Sequence, residues 1–395
     1  MGSWESEDVR QPFLTPTAVA HAAFVPTGIV TVLLGPILPT LAARWSLNDT
    51  QSGDLFFAQF VASTGGVVLS GTLVPRFGYR VVLVLGLMFM AIGVGTLPLG
   101  SWLWGVASVA VFGFGLGLTI PTANLLVAEV NPQGRASALT LLNFSWSVGA
   151  VACPFLLAPF QRTQHTSRFL FALGGCIMLV AVSLAGVSLP RLSRGGDDLS
   201  ATSGKSLASL MRTPAAIALA ALFFVYVGTE NAVGGWLASY AKRIMHSAGT
   251  MWVTTPSFFY GGLLLGRVVA PAILRRVAEV KLACLSTALA LLGVAGLLAS
   301  GSVGGVMVSA GVVGVGLSAV YPITIALLSH NFGSAATRLG AVMFALAGFG
   351  AACVPWIVGF TSTQMSSLKL GLTVPLVGCL ILLGLFLGNW SRPVT

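Results

Sequence analysis

Gly149-Ala150-Val151-Ala152-Cys153-Pro154 returns later in the chain as Gly350-Ala351-Ala352-Cys353-Val354-Pro355, one small-residue segment written twice. Two other pairs keep the same order. Gly65-Gly66-Val67-Val68-Leu69 recurs as Gly261-Gly262-Leu263-Leu264-Leu265, each copy followed by a proline (Pro75, Pro271) and an arginine (Arg76, Arg275). Gly115-Leu116-Gly117-Leu118 recurs as Gly314-Val315-Gly316-Leu317, with Pro121 and Pro322 behind them. One glycine match in apolar sequence means little. Three in one order, at offsets of 196 to 201 residues, mark an internal duplication.

Composition says what the duplicated unit is made of. Hydrophobic residues are 56% of the 395 and charged residues 8%, against about 25% charged in a soluble domain. Twelve apolar runs can be drawn between loop signals, each near the ~20 residues that cross a hydrocarbon core. The chain therefore reads as an all-α membrane protein, with twelve transmembrane helices in two pseudo-symmetric six-helix bundles. A parallel repeat of this kind implies a two-fold axis along the membrane normal, with a ligand site between the halves near the midplane. Many of the 48 glycines fall inside the runs, where small residues allow close helix contact. Cys153, Cys176, Cys284, Cys353 and Cys379 are isolated in apolar runs, so neither a disulfide framework nor a metal cluster is indicated, and no cofactor is expected. A net charge of +10 without a long basic cluster argues against nucleic acid. The absence of a nucleophile-base set or phosphate loop argues against an enzyme.

The expected organisation is a cytoplasmic amino terminus at 1–15, a six-helix bundle at 16–190, a cytoplasmic linker at 191–213 and a second bundle at 214–390. Met1 to Thr15 lacks the basic-then-apolar order of a cleaved signal, so the first run is expected to be a retained helix. An even helix count puts both termini on one face. With that face in the cytoplasm, thirteen Lys and Arg residues lie in cytoplasmic segments and six on the other side, as the positive-inside rule requires. Short loops point to a bacterial inner membrane, and a monomer within the lipid bilayer is expected.

Gly71-Thr72-Leu73-Val74-Pro75-Arg76-Phe77-Gly78-Tyr79-Arg80-Val81-Val82-Leu83 resembles the major facilitator superfamily signature G-x-L-x-D-R-x-G-x-R-x-x-L. In layout the resemblance covers essentially the whole chain. It implies a secondary transporter working by alternating access, with Arg76, Gly78 and Arg80 at a cytoplasmic gate. Pro75 replaces the family's aspartate, which latches helix ends there, so an acid latch at this position is not implied. Tyr226-Val227-Gly228-Thr229-Glu230-Asn231-Ala232-Val233-Gly234-Gly235-Trp236-Leu237-Ala238-Ser239-Tyr240 is similar to the seventh helix of fucose-permease-like sugar transporters. That similarity implies a hexose-like sugar as the small-molecule substrate and the proton as coupling ion. The alternative is a proton-coupled exporter of drugs or other amphipathic solutes. The drug-antiporter signature is matched poorly, because Cys153-Pro154 stands where Gly-Pro belongs.

Glu230 is the ionisable residue that the runs place deepest, apart from Arg267. Such a charge costs roughly 2.5 to 3.5 kcal/mol on insertion scales and survives beside a cavity or a partner. Three roles stay open: proton carrier, acceptor for sugar hydroxyls, or partner of Arg267. The last two residues differ in depth by roughly 7 Å at 1.5 Å per residue, within reach of long side chains. Gly234, one turn on, leaves room beside the carboxylate. Sugar recognition needs hydroxyl partners and a flat apolar face. Candidate substrate contacts are Glu230, Asn231, Tyr226, Trp236, Asn143, Trp146, Asn124, Gln59 and Tyr321, with Tyr260 and Trp356 completing the set. Asn124 and Asn143 suit interhelical hydrogen bonds equally well, and Trp356 suits an interfacial anchor. His21 joins Glu230 as a candidate for proton coupling, with helix-end hydrogen bonding as its other reading.

Overall fold

The computed structural model describes residues 15–187, 189, 207–245 and 249–389. The expected amino-terminal segment and most of the 191–213 linker lie outside the described residues. The bundles that flank the linker are built from α1 (Pro16–Trp45), α2 (Asp49–Thr96), α3 (Trp102–Val130), α4 (Arg135–Arg162) and α5 (Thr166–Ala185), then α7 (Pro214–Ile244), α8 (Thr255–Leu274), α9 (Glu279–Ala299), α10 (Val303–Leu317), α11 (Val320–Phe332), α12 (Ala336–Gln364) and α14 (Thr373–Asn389). Short α6 (Leu207–Met211) and α13 (Leu368–Gly371) precede α7 and α14. No strand occurs among the described residues.

Both bundles start the same way. Thr15 caps α1 with its hydroxyl on the Ala18 N–H and Pro16 in the first turn; Thr213 caps α7 on Ala216 N–H with Pro214 behind it. A Thr-Pro start satisfies an orphan amide and presets the first φ. This fourth match of the duplication is plain once the caps are seen.

Among the described residues, eleven helices are long and apolar enough to cross a membrane, and they make twelve spans because α2 carries two. Its 48 residues would run about 72 Å at 1.5 Å per residue, more than twice a ~30 Å core. The chain turns at Gly78, whose φ of 81° is readily open to glycine. The expected helices at 53–75 and 79–99 are thus joined by a single non-helical residue. The tenth span is broken between α10 and α11. Pro322 lacks an N–H and its ring crowds the carbonyl four residues earlier, which is Ser318, where the break falls.

Packing follows the repeat. α1 lies on α4 as α7 lies on α12; the first span of α2 lies on α3 as α8 lies on α10; the second span of α2 lies on α5 as α9 lies on α14. The opening motif sits at the first of these contacts. A Cβ on Gly149 would fall 2.1 Å from the Val25 carbonyl oxygen, and one on Gly350 would fall 2.0 Å from that of Phe224. The glycine pairs of the fourth and tenth spans align differently from their sequence match. Gly117 abuts the Ser63 carbonyl in the second span and Gly314 abuts the Phe259 carbonyl in the eighth. Gly117, not Gly115, is therefore the counterpart of Gly314: residues two apart on a helix face away from each other, and only one of each pair can meet a given neighbour. The bundles meet along α2 with α12, α4 with α8, and α1 with α7.

Gly149→Leu should lower the thermal midpoint in detergent by the equivalent of about 1–3 kcal/mol, the usual cost of overpacking. Gly65→Leu, where a Cβ meets nothing within 4 Å, should shift stability by less than about 0.5 kcal/mol.

Candidate functional site

A cavity of about 400 Å³ lies between the bundles, lined by Phe24, Thr31, Val67, Ile120, Pro121, Asn143 and Trp146 from the first and by Tyr226, Val227, Glu230, Arg267, Tyr321, Phe344 and Ala347 from the second. Tyr226 and Glu230 are one turn apart on α7, so they share a face. The Tyr226 hydroxyl donates to the Glu230 carboxylate. Arg267 of α8 brings Nη2 to 3.9 Å from the same oxygen. The ion pair is long and its side chains are 29% and 15% exposed, so water in the cavity screens it. Tyr321, three residues beyond the Ser318 break, stacks on Tyr226 at 5.7 Å and 26°.

The first bundle faces this cluster with an indole and an amide. Trp146 donates through Nε1 to Thr31 Oγ1 at 3.3 Å and meets Tyr260 edge-on at 6.4 Å. Asn143 spends one donor on the Leu139 carbonyl at 2.8 Å and is otherwise exposed in the cavity. The result is a near-neutral chamber: one carboxylate and one guanidinium, two phenols, an amide and a flat indole. Such a set can hydrogen-bond several hydroxyls while covering an apolar ring face.

The other expected contacts are placed differently. Gln59 and Asn231 line a narrow void beside the main cavity, with Tyr260 and with Thr31 common to both. Gln59 donates to the Thr31 carbonyl at 3.1 Å, while its Oε1 is buried without a partner. Asn231 donates back to Val227 O at 2.8 Å. The room expected at Gly234 is filled: a Cβ there would meet the Tyr260 hydroxyl at 2.4 Å. Trp236 does not line the cavity. Its ring is buried, donates to Pro355 O at 2.9 Å and packs on Phe56 at 5.9 Å, so it cements the bundle interface. Asn124 also lies off the lining, bonded to Ile120 O at 2.8 Å. His21 pairs with Ser145 Oγ at 2.7 Å and ties α1 to α4. Arg76 and Arg80 are exposed around Gly78. Between them Tyr79 is buried and donates to Glu129 of α3.

Opposite the terminal face, where α1 starts and α14 ends, the other face is sealed by contacts that the sequence reading missed. Asp49, at the start of α2, accepts a forked pair of hydrogen bonds from Arg243 of α7 and another from Ser362 of α12. The Thr50 amide donates to Thr363 Oγ1 at 2.9 Å, and Trp356 Nε1 to Asp54 Oδ1 at 2.8 Å. Trp356 is thus a latch rather than a lipid anchor. The available signal was charge pairing by face: Asp49 and Arg243 both fall at span ends on this side. Toward the terminal face the cavity walls open instead, with Val67 41% and Phe344 44% exposed.

Comparison with known proteins agrees with this architecture. Residues 21–355 match the Major Facilitator Superfamily. A glucose/galactose transporter of Brucella abortus biovar 1 (strain 9-941) is 27% identical over 351 residues, covering 84% of each chain. The solved D-xylose-proton symporter superposes with a TM-score of 0.74 at 17% identity, over 95% of this chain and 96% of that one. The E. coli fucose:proton symporter does so at 0.62 and 16%, over 95% and 98%.

Asp49→Asn should loosen the sealed face. Arg243 is about half exposed, so the loss is about 1 kcal/mol rather than the larger value of a buried charged bond. Labelling of a Thr31→Cys reporter by a membrane-impermeant thiol reagent from that side should speed up about fivefold.

Proposed function

This chain belongs to the Major Facilitator Superfamily, and on that footing we propose that it carries a hexose-like sugar across the membrane by alternating access, as a proton symporter. The observation that carries the reading is the inter-bundle chamber in which Glu230, Arg267, Tyr226 and Tyr321 face Trp146 and Asn143. Its polar groups come from both bundles, so rocking one bundle against the other exposes the same contacts to either side. The glucose and galactose named for the Brucella relative are neutral sugars, and a chamber with balanced charge suits a neutral solute.

In this proposal the terminal face is cytoplasmic, in a bacterial inner membrane, and the sealed face looks outward. Glu230 serves as sugar acceptor and proton carrier. Ionised, it holds Arg267 and the Tyr226 hydroxyl. Protonated, it releases the attraction to the guanidinium and frees that group to donate to sugar oxygens. Arg267 thus offers its donors when the proton is aboard, which links sugar and proton through a shared partner as well as through Glu230 itself. His21, bonded to Ser145 nearer the terminal face, is the exit-side proton group. Arg76, Gly78 and Arg80 form the cytoplasmic gate, with Tyr79–Glu129 supplying an acid contact near Pro75.

Proteoliposomes loaded at high internal pH should accumulate labelled glucose or galactose. Accumulation that follows an imposed sodium gradient instead would replace the proton, and efflux of amphipathic drugs without sugar uptake would overturn the reading. Glu230→Gln should keep sugar exchange within about threefold yet abolish accumulation, whereas Arg267→Gln should lower both by about tenfold or more, one lost charged contact being worth about 1.4 kcal/mol or more.

A further inference from the structure

A second cavity lies away from the chamber, on the sealed face. It measures about 480 Å³, and its walls include Thr40 and Arg44 of α1, Gln161 of α4, Ser167 of α5, Lys242 of α7 and Trp252. No carboxylate is among its described lining residues. Two cations open into one hollow with no acidic side chain among the described residues there to balance them. Lys242 reaches the Pro39 carbonyl at 3.4 Å and stands 5.0 Å over the Trp252 ring, and neither contact supplies a full countercharge.

Neutral donors gather at the same place. Gln161 takes the Thr40 hydroxyl on its Oε1 at 2.8 Å, which leaves its buried Nε2 without a hydrogen-bond partner. A buried orphan donor costs about 1–3 kcal/mol, and this one, without accessible surface, reaches an acceptor in the hollow when the Gln161 side chain turns toward it. Helix α5 begins beside it with His165 as an uncapped N-cap. The first amides of that helix, at Thr166 and Ser167, have no carbonyl within the helix to bind. Two cations, an orphan amide, hydroxyls and a helix start share one requirement, a compact oxyanion.

We propose that this hollow binds a phosphoryl group, carried either by a lipid headgroup of that leaflet or by free phosphate. The walls come from both bundles: Arg44, Gln161 and Ser167 from the first, Lys242 and Trp252 from the second. An anion held between them ties the sealed face shut and disfavours the opposite state, in which those walls part. Because it binds one state only, an anion at ten times its dissociation constant shifts the balance about elevenfold toward the sealed form.

The test compares the full-length protein with Arg44→Gln/Lys242→Gln. In neutral detergent, inorganic phosphate at ionic strength matched with chloride should raise the thermal midpoint of the wild type and not of the double variant. In nanodiscs containing phosphatidylglycerol, native mass spectrometry should find one more retained anionic lipid on the wild type. A response to phosphate alone identifies the free ion, and retention alone identifies the headgroup; either supports the site. Equal behaviour of the two proteins in both arms overturns it. If the double variant does not fold, Gln161→Leu serves instead, and unchanged affinity there would count equally against the proposal; about tenfold weakening is expected.

Discussion

Backbone-to-backbone contact between helices is the constraint on which the rest depends. Lipid tails are as apolar as leucine, so helices in a bilayer gain little by hiding apolar side chains from them and must associate through close packing and hydrogen bonds. The chain meets that constraint where Gly149 lies against Val25 and Gly350 against Phe224. These contacts set α4 on α1 and α12 on α7, and those helix pairs in turn aim Trp146, Asn143, Tyr226 and Glu230 at a common space. A side chain inserted there would displace the walls of the chamber even though it touches none of the polar groups.

The seam between the bundles is held by unlike means at its sealed edge and at its middle. On the sealed face, charge-assisted hydrogen bonds at Asp49 and an indole on Asp54 do the joining. Midway, contact is made by small residues, as at Gly35 against Gly234 and Gly235, and Gly348 against Thr64. Polar bonds release when water enters, whereas glycine contacts have no such exchange partner. The seam is therefore suited to open from the sealed edge while pivoting near its middle.

Much of this was legible in the sequence because repetition and hydropathy are one-dimensional signals. The duplicated Gly-Ala segment, the helix count and the suspicion of Glu230 needed no coordinates. The Glu230–Arg267 distance was readable only as a difference in depth, since rotation about each helix axis is set by tertiary packing. The same limit explains Trp236, whose indole turned to the Pro355 carbonyl of α12, and Asn124, whose amide turned to the Ile120 carbonyl of its own helix, rather than to the cavity. Gly115 and Gly314 looked equivalent in the string because sequence matching counts glycines, while helix packing counts faces. Asp49 escaped notice because its partners lie 194 and 313 residues away, and no local pattern announces so distant a pairing.

Gly78 has a mechanical meaning. It alone separates two spans that together occupy Asp49–Thr96, which leaves no slack between them. Tilt imposed on the first span is handed directly to the second, and from there to α5 packed upon it. The two halves of α2 behave as the arms of a bent crank, so a displacement that begins at Asp49 on the sealed rim is felt at the far side of the same bundle without a flexible loop to absorb it.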